Sequence, residues 1–309
     1  MTMAPKPSGE QTELRISMLT STHVPEAGAV YVGTERILAD GLGFLEGPRW
    51  HEGKLWFSDF YSRRVSTVDL YGQLTRRYYV PGQPSGLWPL PDGDILIAST
   101  HNARLLRGSA NGALRTVADI GAVFRGALND LVVDGRGRAY LSTLPDLTGA
   151  RAGDVLHCPI VLVNEHGEAR VVTDDLRVPN GMVITSDGRT LIAAETQACR
   201  LIKFTIADDG SLGSPEVFVD FRDRKPDGIA LDPTGAVWVC CPFSSEVFLV
   251  AEGGEVLASL RTPGSWAVAC AVGGDGEDTL FVVTAQVTAA DLHAGTGTGA
   301  VRAYRIARQ

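Results

Sequence analysis

The chain has 309 residues, of which 44% are hydrophobic and 21% charged, and its formal net charge is −8. Binding to nucleic-acid phosphates needs clustered Lys and Arg, and the sequence has no such cluster, so a nucleic-acid partner is excluded. No apolar run approaches the roughly 20 residues that span a bilayer, which argues against a membrane partner.

Residues 1–30 are expected to form a polar leader. They lack the apolar centre and the small-residue cleavage site of a secretory signal. The cysteine count is five, and no C-x-x-C pair occurs. An odd count without paired spacing favours neither a disulfide framework nor a zinc knuckle. Together these features predict a protein of the reducing cytoplasm.

The rest of the chain repeats one pattern six times. Each copy has a polar or small first residue, a short apolar run, a Gly-containing turn and a second apolar run. A period of about 40–50 residues built from short strands is typical of a β-propeller. We therefore predict an all-β fold, a six-bladed β-propeller that forms a single domain over residues 31–309. The copies begin at Glu46, Ser85, Asn129, Asn180, Asp227 and, more weakly, Ala269.

The fourth copy shows the expected blade. Gly181–Ile184 is the inner strand, and the Asp-Gly turn that follows it tolerates the positive φ of a hairpin. Thr190–Glu195, Arg200–Ile206 and Glu216–Val219 are the next three strands. Four antiparallel strands in a repeat make one propeller blade.

The two ends of the chain are expected to share the last blade. Its third strand lies at about Ala300–Ile306, and its fourth is supplied by about Tyr31–Ala39. Pairing of the N- and C-terminal strands closes the ring and leaves no open sheet edge.

Two long segments, 144–154 and 286–299, interrupt the third and sixth copies after the second strand. Antiparallel geometry places both on the face where the inner strands begin. Long loops on a rigid scaffold often carry function, so we expect a partial lid over a substrate pocket. The alternative is that these positions only tolerate insertion.

The first residues of the copies are expected to form a ring around the propeller axis. Glu46, Asn180 and Asp227 offer two carboxylates and an amide, and Asn129 is a further candidate. Hard divalent cations prefer such oxygen donors, whereas two facing carboxylates without a cation are costly. A single Asp-Gly or Asn-Gly pair is more simply explained as a turn. Because the oxygen-bearing residues lie at equivalent positions of successive copies, the pattern favours a metal site.

Four motifs resemble the senescence marker protein/gluconolactonase/luciferin-regenerating enzyme family. They are FLEGPRW (44–50), LND (128–130), PNGM (179–182) and KPDGIALD (225–232), in the family's order and spacing. The resemblance covers about residues 40–306. It implies a six-bladed propeller with one catalytic divalent metal ion in the central channel.

By position, Glu46, Asn180 and Asp227 match the family's metal ligands. Asn129 matches the polar residue beside the metal that contacts substrate or completes the coordination. Asp227 also matches the carboxylate proposed as general base, so the predicted catalytic residues are Asp227 and Asn129. The resemblance implies a hydrolase that opens a lactone, a cyclic ester. Ca²⁺ is the first candidate metal, and Mg²⁺, Mn²⁺, Zn²⁺ and Fe²⁺ are alternatives.

One departure bears on the substrate. Sugar-lactone hydrolases of the family carry an Arg two residues before the matched Asn, where this chain has Ala127, and Arg125 lies further upstream. The expected pocket is also rather apolar, which favours a small-molecule lactone or ester with a hydrophobic portion. The predicted substrate contacts are Tyr61, His101, Phe124, Leu144, Thr196, Phe243 and Trp266.

Two other functions stay open. A metal-dependent esterase or phosphotriesterase acting on non-lactone substrates would use the same residues. A non-catalytic binding propeller, in which the metal ion only stabilises the channel, is the other alternative. The propeller fold does not by itself imply an enzyme. The sequence has no G-x-S-x-G nucleophile elbow. Either a monomer or an oligomer is compatible with a closed propeller.

Overall fold

The structure, a computed structural model, describes residues 30–146 and 155–308. In these residues, the strands form six four-stranded antiparallel sheets, which confirms the predicted six-bladed propeller. No helix of this described part is long and apolar enough to cross a membrane.

The elements are short and follow one another closely. The strands are β1 (Val30–Leu42), β2 (Leu45–His51), β3 (Lys54–Asp59), β4 (Arg64–Asp69), β5 (Leu74–Tyr79), β6 (Pro84–Pro89), β7 (Ile95–Ser99), β8 (Arg104–Gly108), β9 (Leu114–Asp119), β10 (Gly126–Val133), β11 (Ala139–Pro145), β12 (Cys158–Val163), β13 (Ala169–Leu176), β14 (Pro179–Ile184), β15 (Thr190–Glu195), β16 (Arg200–Thr205), β17 (Glu216–Asp220), β18 (Ile229–Leu231), β19 (Val237–Cys241), β20 (Glu246–Val250), β21 (Val256–Arg261), β22 (Trp266–Gly273), β23 (Thr279–Gln286) and β24 (Thr298–Arg308). The helices are the 3-10 turns Ile120–Ala122, Thr196–Ala198, Pro242–Ser244 and Asp275–Glu277, and the α-helix α1 (Ala289–Ala294).

Each blade is a meander of consecutive strands, except the last. Blades 1 to 5 are β2–β5, β6–β9, β10–β13, β14–β17 and β18–β21, and blade 6 is β22, β23, β24 and β1. The predicted strands of blade 4 are confirmed, with β14 beginning two residues earlier than expected.

The closure of the ring is confirmed in detail. β1 pairs antiparallel with β24, from Val30 opposite Arg308 to Leu42 opposite Gly299. Arg308 also forms an ion pair with the buried Asp232 of blade 5, at 2.8 Å. The terminal strand is therefore tied to a second blade as well as to its own sheet.

The core lies between neighbouring blades, where the apolar faces of the sheets meet. Trp238 of blade 5 and Val282 of blade 6 share one fully buried cluster. Val65 of blade 1 and Leu87 of blade 2 share another. Burial of such side chains stabilises the fold by about 1.5–3 kcal/mol each, so every blade depends on both neighbours.

The inner strands approach one another very closely at the start of each blade. The pairing register shifts there, for example between Glu46 and Arg49 in blade 1. A Cβ at Gly86 would lie 2.5 Å from the Leu131 nitrogen, and one at Gly228 would lie 2.2 Å from the Ala269 Cβ. Only glycine allows this approach, which brings the preceding polar side chains around one channel.

The same contacts correct the register of the sixth copy. The Gly181 N–H donates to the Asp227 carbonyl, and the Gly228 N–H donates in the same way to the Val268 carbonyl. Val268, and not Ala269, is therefore the blade 6 counterpart of Asp227. The position stays apolar, so the number of oxygen donors in the ring does not change.

Candidate metal-binding and active site

The predicted ring residues lie together at the start of the inner strands, and hydrogen bonds connect them from blade to blade. The Ser85 hydroxyl donates to Asn129 Oδ1 at 3.3 Å. Asn129 Nδ2 donates to Asn180 Oδ1 at 3.0 Å. Asn180 also hydrogen-bonds the Asp227 carboxylate. Four consecutive blades thus present one continuous polar strip to the channel.

Thr196, predicted to contact substrate, supports this strip. Its hydroxyl donates to the Pro226 carbonyl at 2.8 Å. It accepts a hydrogen bond from Asn180 Nδ2 at 3.2 Å. The sequence predicted a substrate contact here, but the hydroxyl has both its partners within the protein. Thr196 therefore fixes the Asn180 amide and the backbone that enters Asp227.

The two carboxylates of the ring act on each other across the channel. Burial, followed by the charges of Asp227 and Asp130, raises the pKa of Glu46 well above its usual range. Burial, opposed by the Asn180 hydrogen bond and assisted by the charge of Asp130, raises the pKa of Asp227 to about 7. Without a compensating cation, the site resists holding both negative charges.

The donor set at the ring is made of oxygen atoms. Among the described residues, no group of three or more His, Cys, Asp or Glu side chains could hold a metal. The ring instead combines two carboxylates with the amides of Asn129 and Asn180, a set that suits hard cations such as Ca²⁺ or Mg²⁺. Cys240 lies near Asp227, and burial raises its pKa well above the usual value, so a thiolate ligand is disfavoured.

The face that carries the ring, here called the ring face, also carries the ends of the second strands. Pairing places Asp59 opposite Leu45 and Glu195 opposite Pro179. On this face Phe60 packs against Tyr61 and His101, with ring centroids 6.2 and 5.8 Å apart. Phe44 completes the group at 5.7 Å from Tyr61.

A second aromatic pair lies on the ring face of blades 5 and 6. The rings of Phe243 and Trp266 are 4.9 Å apart. Phe243 is 62% exposed. The Lys225 ammonium lies 5.5 Å from its ring centroid. This exposed aromatic surface is the feature that fits the predicted apolar substrate portion.

Two other predicted contacts lie on the blade 3 side of the ring face. Phe124 is half-buried and packs against the apolar cluster of blades 2 and 3. Its ring covers Gly126, at which a Cβ would lie 2.4 Å from the Phe124 ring edge. Leu144 lies at the end of β11, opposite Ala127. Both residues thus lie at the ends of the first two strands of blade 3.

The two predicted lid segments are described in part. Residues 147–154 of the first lie outside the described residues. The second was expected to be a loop, but it contains the short helix α1. The Asp291 carboxylate accepts hydrogen bonds from the Thr288 N–H and hydroxyl, at 2.8 and 2.7 Å, which fixes the start of this helix.

The ion pair between Arg49 and Asp130 was not predicted from the sequence. Arg49 Nη2 donates to both Asp130 carboxylate oxygens, at 3.0 and 3.1 Å. Asp130 stands where four other blades have glycine, and that departure from the repeat was a signal present in the sequence. Arg49 lies in FLEGPRW and Asp130 in LND, so both belong to motifs whose other residues had been assigned roles.

Comparison with known proteins finds two related lactonases and a structurally similar calcium-binding protein. The chain is 26% identical to the pentonolactonase XacC of Haloferax volcanii over 261 residues, which cover 81% of this chain and 84% of that protein. It is 23% identical to the 6-deoxy-6-sulfogluconolactonase of Pseudomonas putida over 246 residues, covering 78% and 83%. The structure of a calcium-binding protein, regucalcin, of Agrobacterium tumefaciens superposes with a TM-score of 0.74 at 22% identity, covering 90% of this chain and 96% of that one.

The family assignment rests on a match to a family model. The family model described as SMP-30/gluconolactonase/LRE-like region matches residues 44–286. This range runs from the first predicted motif to the end of β23 and includes all four ring residues. The chain therefore belongs to the SMP-30/gluconolactonase/LRE-like family.

Proposed function

We propose that this protein is a metal-dependent hydrolase that opens a small-molecule lactone. The observation that carries the proposal is the pair of facing carboxylates, Glu46 and Asp227, whose pKa values are both raised. Asp227 ends the hydrogen-bonded strip that includes the Asn129 and Asn180 amides, and Glu46 lies at the equivalent position of blade 1. Two carboxylates held in this way against their own repulsion are suited to a divalent cation.

Glu46, Asn180 and Asp227 would hold the cation, and Asn129 would complete its coordination or contact the substrate. When bound, a divalent cation polarises a carbonyl group and lowers the pKa of a neighbouring water. The oxygen donors favour Ca²⁺ first, with Mg²⁺, Mn²⁺, Zn²⁺ and Fe²⁺ as alternatives.

The chain's own residues supply proton transfer and orientation. Asp227 takes a proton from the water that attacks the lactone carbonyl carbon. As the bond from the carbonyl carbon to the ring oxygen breaks, the same proton is delivered to that oxygen, which becomes the alcohol of the open product. Positioned acid–base groups of this kind contribute about 10²–10⁴-fold to a rate. Asn129, held between Ser85 and Asn180, orients the reacting group.

The substrate class is supported from two sides. Two relatives that span most of this chain are named as lactonases of sugar acids. The aromatic groups on the ring face, together with Ala127 in place of the family's Arg, favour a lactone with a hydrophobic portion. The same aromatic groups would suit an ester with an apolar leaving group, so a metal-dependent esterase or phosphotriesterase is the second candidate.

A non-catalytic propeller is the least supported alternative. Apolar side chains would fill the channel without the cost of two buried carboxylates. The half-buried Glu46 and Asp227 instead lie at the start of the inner strands, on the same face as the aromatic surfaces.

The test is turnover on a panel from sugar lactones to alkyl γ- and δ-lactones, with simple esters and a phosphotriester included. Chelator-treated protein is assayed alone and after addition of each divalent cation. We expect lactone opening that returns with metal and is lost in Asp227→Asn. Asp92→Asn, on an exposed turn, is the matched control and should keep full activity. Turnover of esters but not lactones would select the second candidate. Tight metal binding without any turnover would indicate a binding protein.

A further inference from the structure

The Arg49–Asp130 ion pair joins blade 1 to blade 3 next to the ring, because Arg49 lies on the same strand as Glu46 and Asp130 directly follows Asn129. Its side chains are only 15% and 10% exposed. The guanidinium also donates to the Leu131 carbonyl at 2.9 Å and to the Pro48 carbonyl at 2.9 Å. It lies 5.6 Å from the Trp88 ring of blade 2, which it passes over. Such a desolvated contact with two oxygens of one carboxylate is strong and geometrically fixed.

Asp130 occupies a position at which four other blades have a glycine in close contact with the backbone of a neighbouring blade. Gly47, Gly86, Gly181 and Gly228 hold the equivalent places, so Asp130 is the one charged residue there in the described inner strands. Its backbone is also fixed, because its N–H donates to the Ser142 hydroxyl at 3.0 Å. Since Asp130 follows Asn129, whatever holds Asp130 also holds the strand that carries a ring amide.

The charge of Asp130 reaches both ring carboxylates. It raises the pKa of Glu46 and of Asp227, whereas the charge of Arg49 lowers the pKa of Glu46. Three carboxylates and the Arg49 guanidinium therefore act on one another at this end of the channel. Beyond Arg49, towards the opposite face, the channel opens into an apolar cavity of about 190 Å³ with no carboxylate in its lining. No second acidic layer follows.

We infer that Arg49 is a positioning residue that, through its ion pair with Asp130, sets the net charge that the ring presents to a divalent cation. With the pair intact, the third carboxylate is compensated and two negative charges remain to match one divalent ion. This inference rests on the proposed metal-dependent function, and it assigns a role to residues outside the ring itself.

The test is a charge cycle measured by metal binding. Chelator-stripped wild type, Arg49→Met, Asp130→Asn and the double variant are titrated with Ca²⁺ by calorimetry at constant pH and ionic strength. Removing Arg49 leaves an extra negative charge, so Ca²⁺ affinity should rise on the order of tenfold; removing the Asp130 charge should lower it by a similar factor. The double variant, with both charges gone, should return to within a few-fold of wild type.

A purely structural role predicts another pattern, in which each single variant loosens the site and weakens binding. Arg138→Met is the matched control, because Arg138 forms a similarly buried ion pair with Asp134 of blade 3, at 2.7 Å, on the turn between β10 and β11. It should lower thermal stability and leave Ca²⁺ affinity unchanged. Asp130→Asn keeps the side-chain shape, so it provides a readout even if Arg49→Met does not fold.

The outcomes separate this inference from the proposed function. Single variants that shift affinity in opposite directions support it, whether or not lactone turnover is found. Single variants that shift affinity in the same direction, or not at all, overturn it while leaving lactone hydrolysis standing. A wild-type protein that binds none of Ca²⁺, Mg²⁺ and Mn²⁺ would overturn both.

Discussion

Glu46 and Asp227 belong to blades 1 and 5, yet the charge of Asp227 raises the pKa of Glu46 across the channel. The two residues are joined by no hydrogen bond in the described structure. Their proximity follows from the geometry of the ring, in which the inner strand of every blade begins at the same height. The protein thus concentrates negative charge where its own side chains do not neutralise it fully.

The first prediction concerns the stability of chelator-treated protein as a function of pH. Both carboxylates have folded-state pKa values above those of the unfolded chain, which are near 4. Their contribution to stability is therefore fully present below about pH 4 and is lost as pH rises through the folded value, about 7 for Asp227. We expect Tm in chelator to fall by several degrees between pH 5 and pH 8.

Two controls accompany the measurement. Asp227→Asn should flatten most of the slope, because one titrating group is gone and its charge no longer raises the pKa of Glu46. Saturating Ca²⁺ should restore Tm at pH 8 by binding the ionised form. A Tm that stays level in chelator across this pH range would show that the two carboxylates do not oppose each other.

The second prediction tests the close approach of blades 5 and 6. In Gly228→Ala the new Cβ would lie 2.2 Å from the Ala269 Cβ and 2.5 Å from its Cα, so the backbone must shift. Overpacking of this kind costs about 1–3 kcal/mol, and here it also displaces Asp227. We expect a lower free energy of unfolding and a weaker Ca²⁺ affinity, measured by denaturant titration and calorimetry.

Gly135→Ala is the matched control for this substitution. Gly135 lies on a turn of blade 3, and no atom approaches within 4 Å of the position its Cβ would take. Its stability should change by no more than about 0.5 kcal/mol. Equal effects of the two substitutions would show that Gly228 is not required for the close contact between blades 5 and 6.

The repeat pattern allowed most of this architecture to be predicted. Asn129, Asn180 and Asp227 stand at equivalent places of copies that also share a turn and two apolar runs, so one alignment fixed the blades and the ring together. The sixth copy was misaligned by one residue because Val268, Ala269 and Cys270 include no polar residue to mark the step. In the structure, the backbone hydrogen bond to Val268 identifies it.

Contacts between distant blades could not be obtained in the same way. Arg49 and Asp130 are 81 positions apart, and their ion pair skips a blade. It depends on the width of the channel, which the repeat does not encode. Thr196 was expected at the pocket because it follows a second strand, but the direction of its hydroxyl depends on the neighbouring blade, through the Pro226 carbonyl.

The third prediction concerns this hydroxyl. Thr196→Val keeps the shape of the side chain and removes the partner of both Asn180 and the Pro226 carbonyl. Leaving such groups unpaired costs about 1–3 kcal/mol, and loss of a group that orients a metal ligand typically costs 10–100-fold in affinity. We expect Ca²⁺ affinity and kcat to fall together, while Thr196→Ser, which keeps the hydroxyl, stays near wild type. Unchanged affinity in the Val variant would mean that Asn180 is not a ligand.

The last prediction assigns specificity to the aromatic pair of blades 5 and 6. Phe243 and Trp266 offer an exposed apolar surface on the ring face, so removing either ring should weaken binding of a hydrophobic substrate portion without altering proton transfer at Asp227. Aromatic contacts are worth about 0.5–1.5 kcal/mol beyond area burial, so Trp266→Ala should raise KM for an alkyl lactone roughly three- to tenfold.

Comparing two substrates separates a role in substrate selectivity from a role in the fold of the site. A compact polar sugar lactone has no hydrophobic portion for the pair to bind, so we expect its kcat/KM to stay within about twofold in Trp266→Ala. Tyr71 is 90% exposed on a turn of the opposite face, and Tyr71→Ala should change neither substrate. If Trp266→Ala lowered kcat/KM equally for both lactones, the pair would support the fold of the site and not its selectivity. The apolar portion of the substrate would then have to lie against Phe60, Tyr61 and His101, on the other side of the channel mouth.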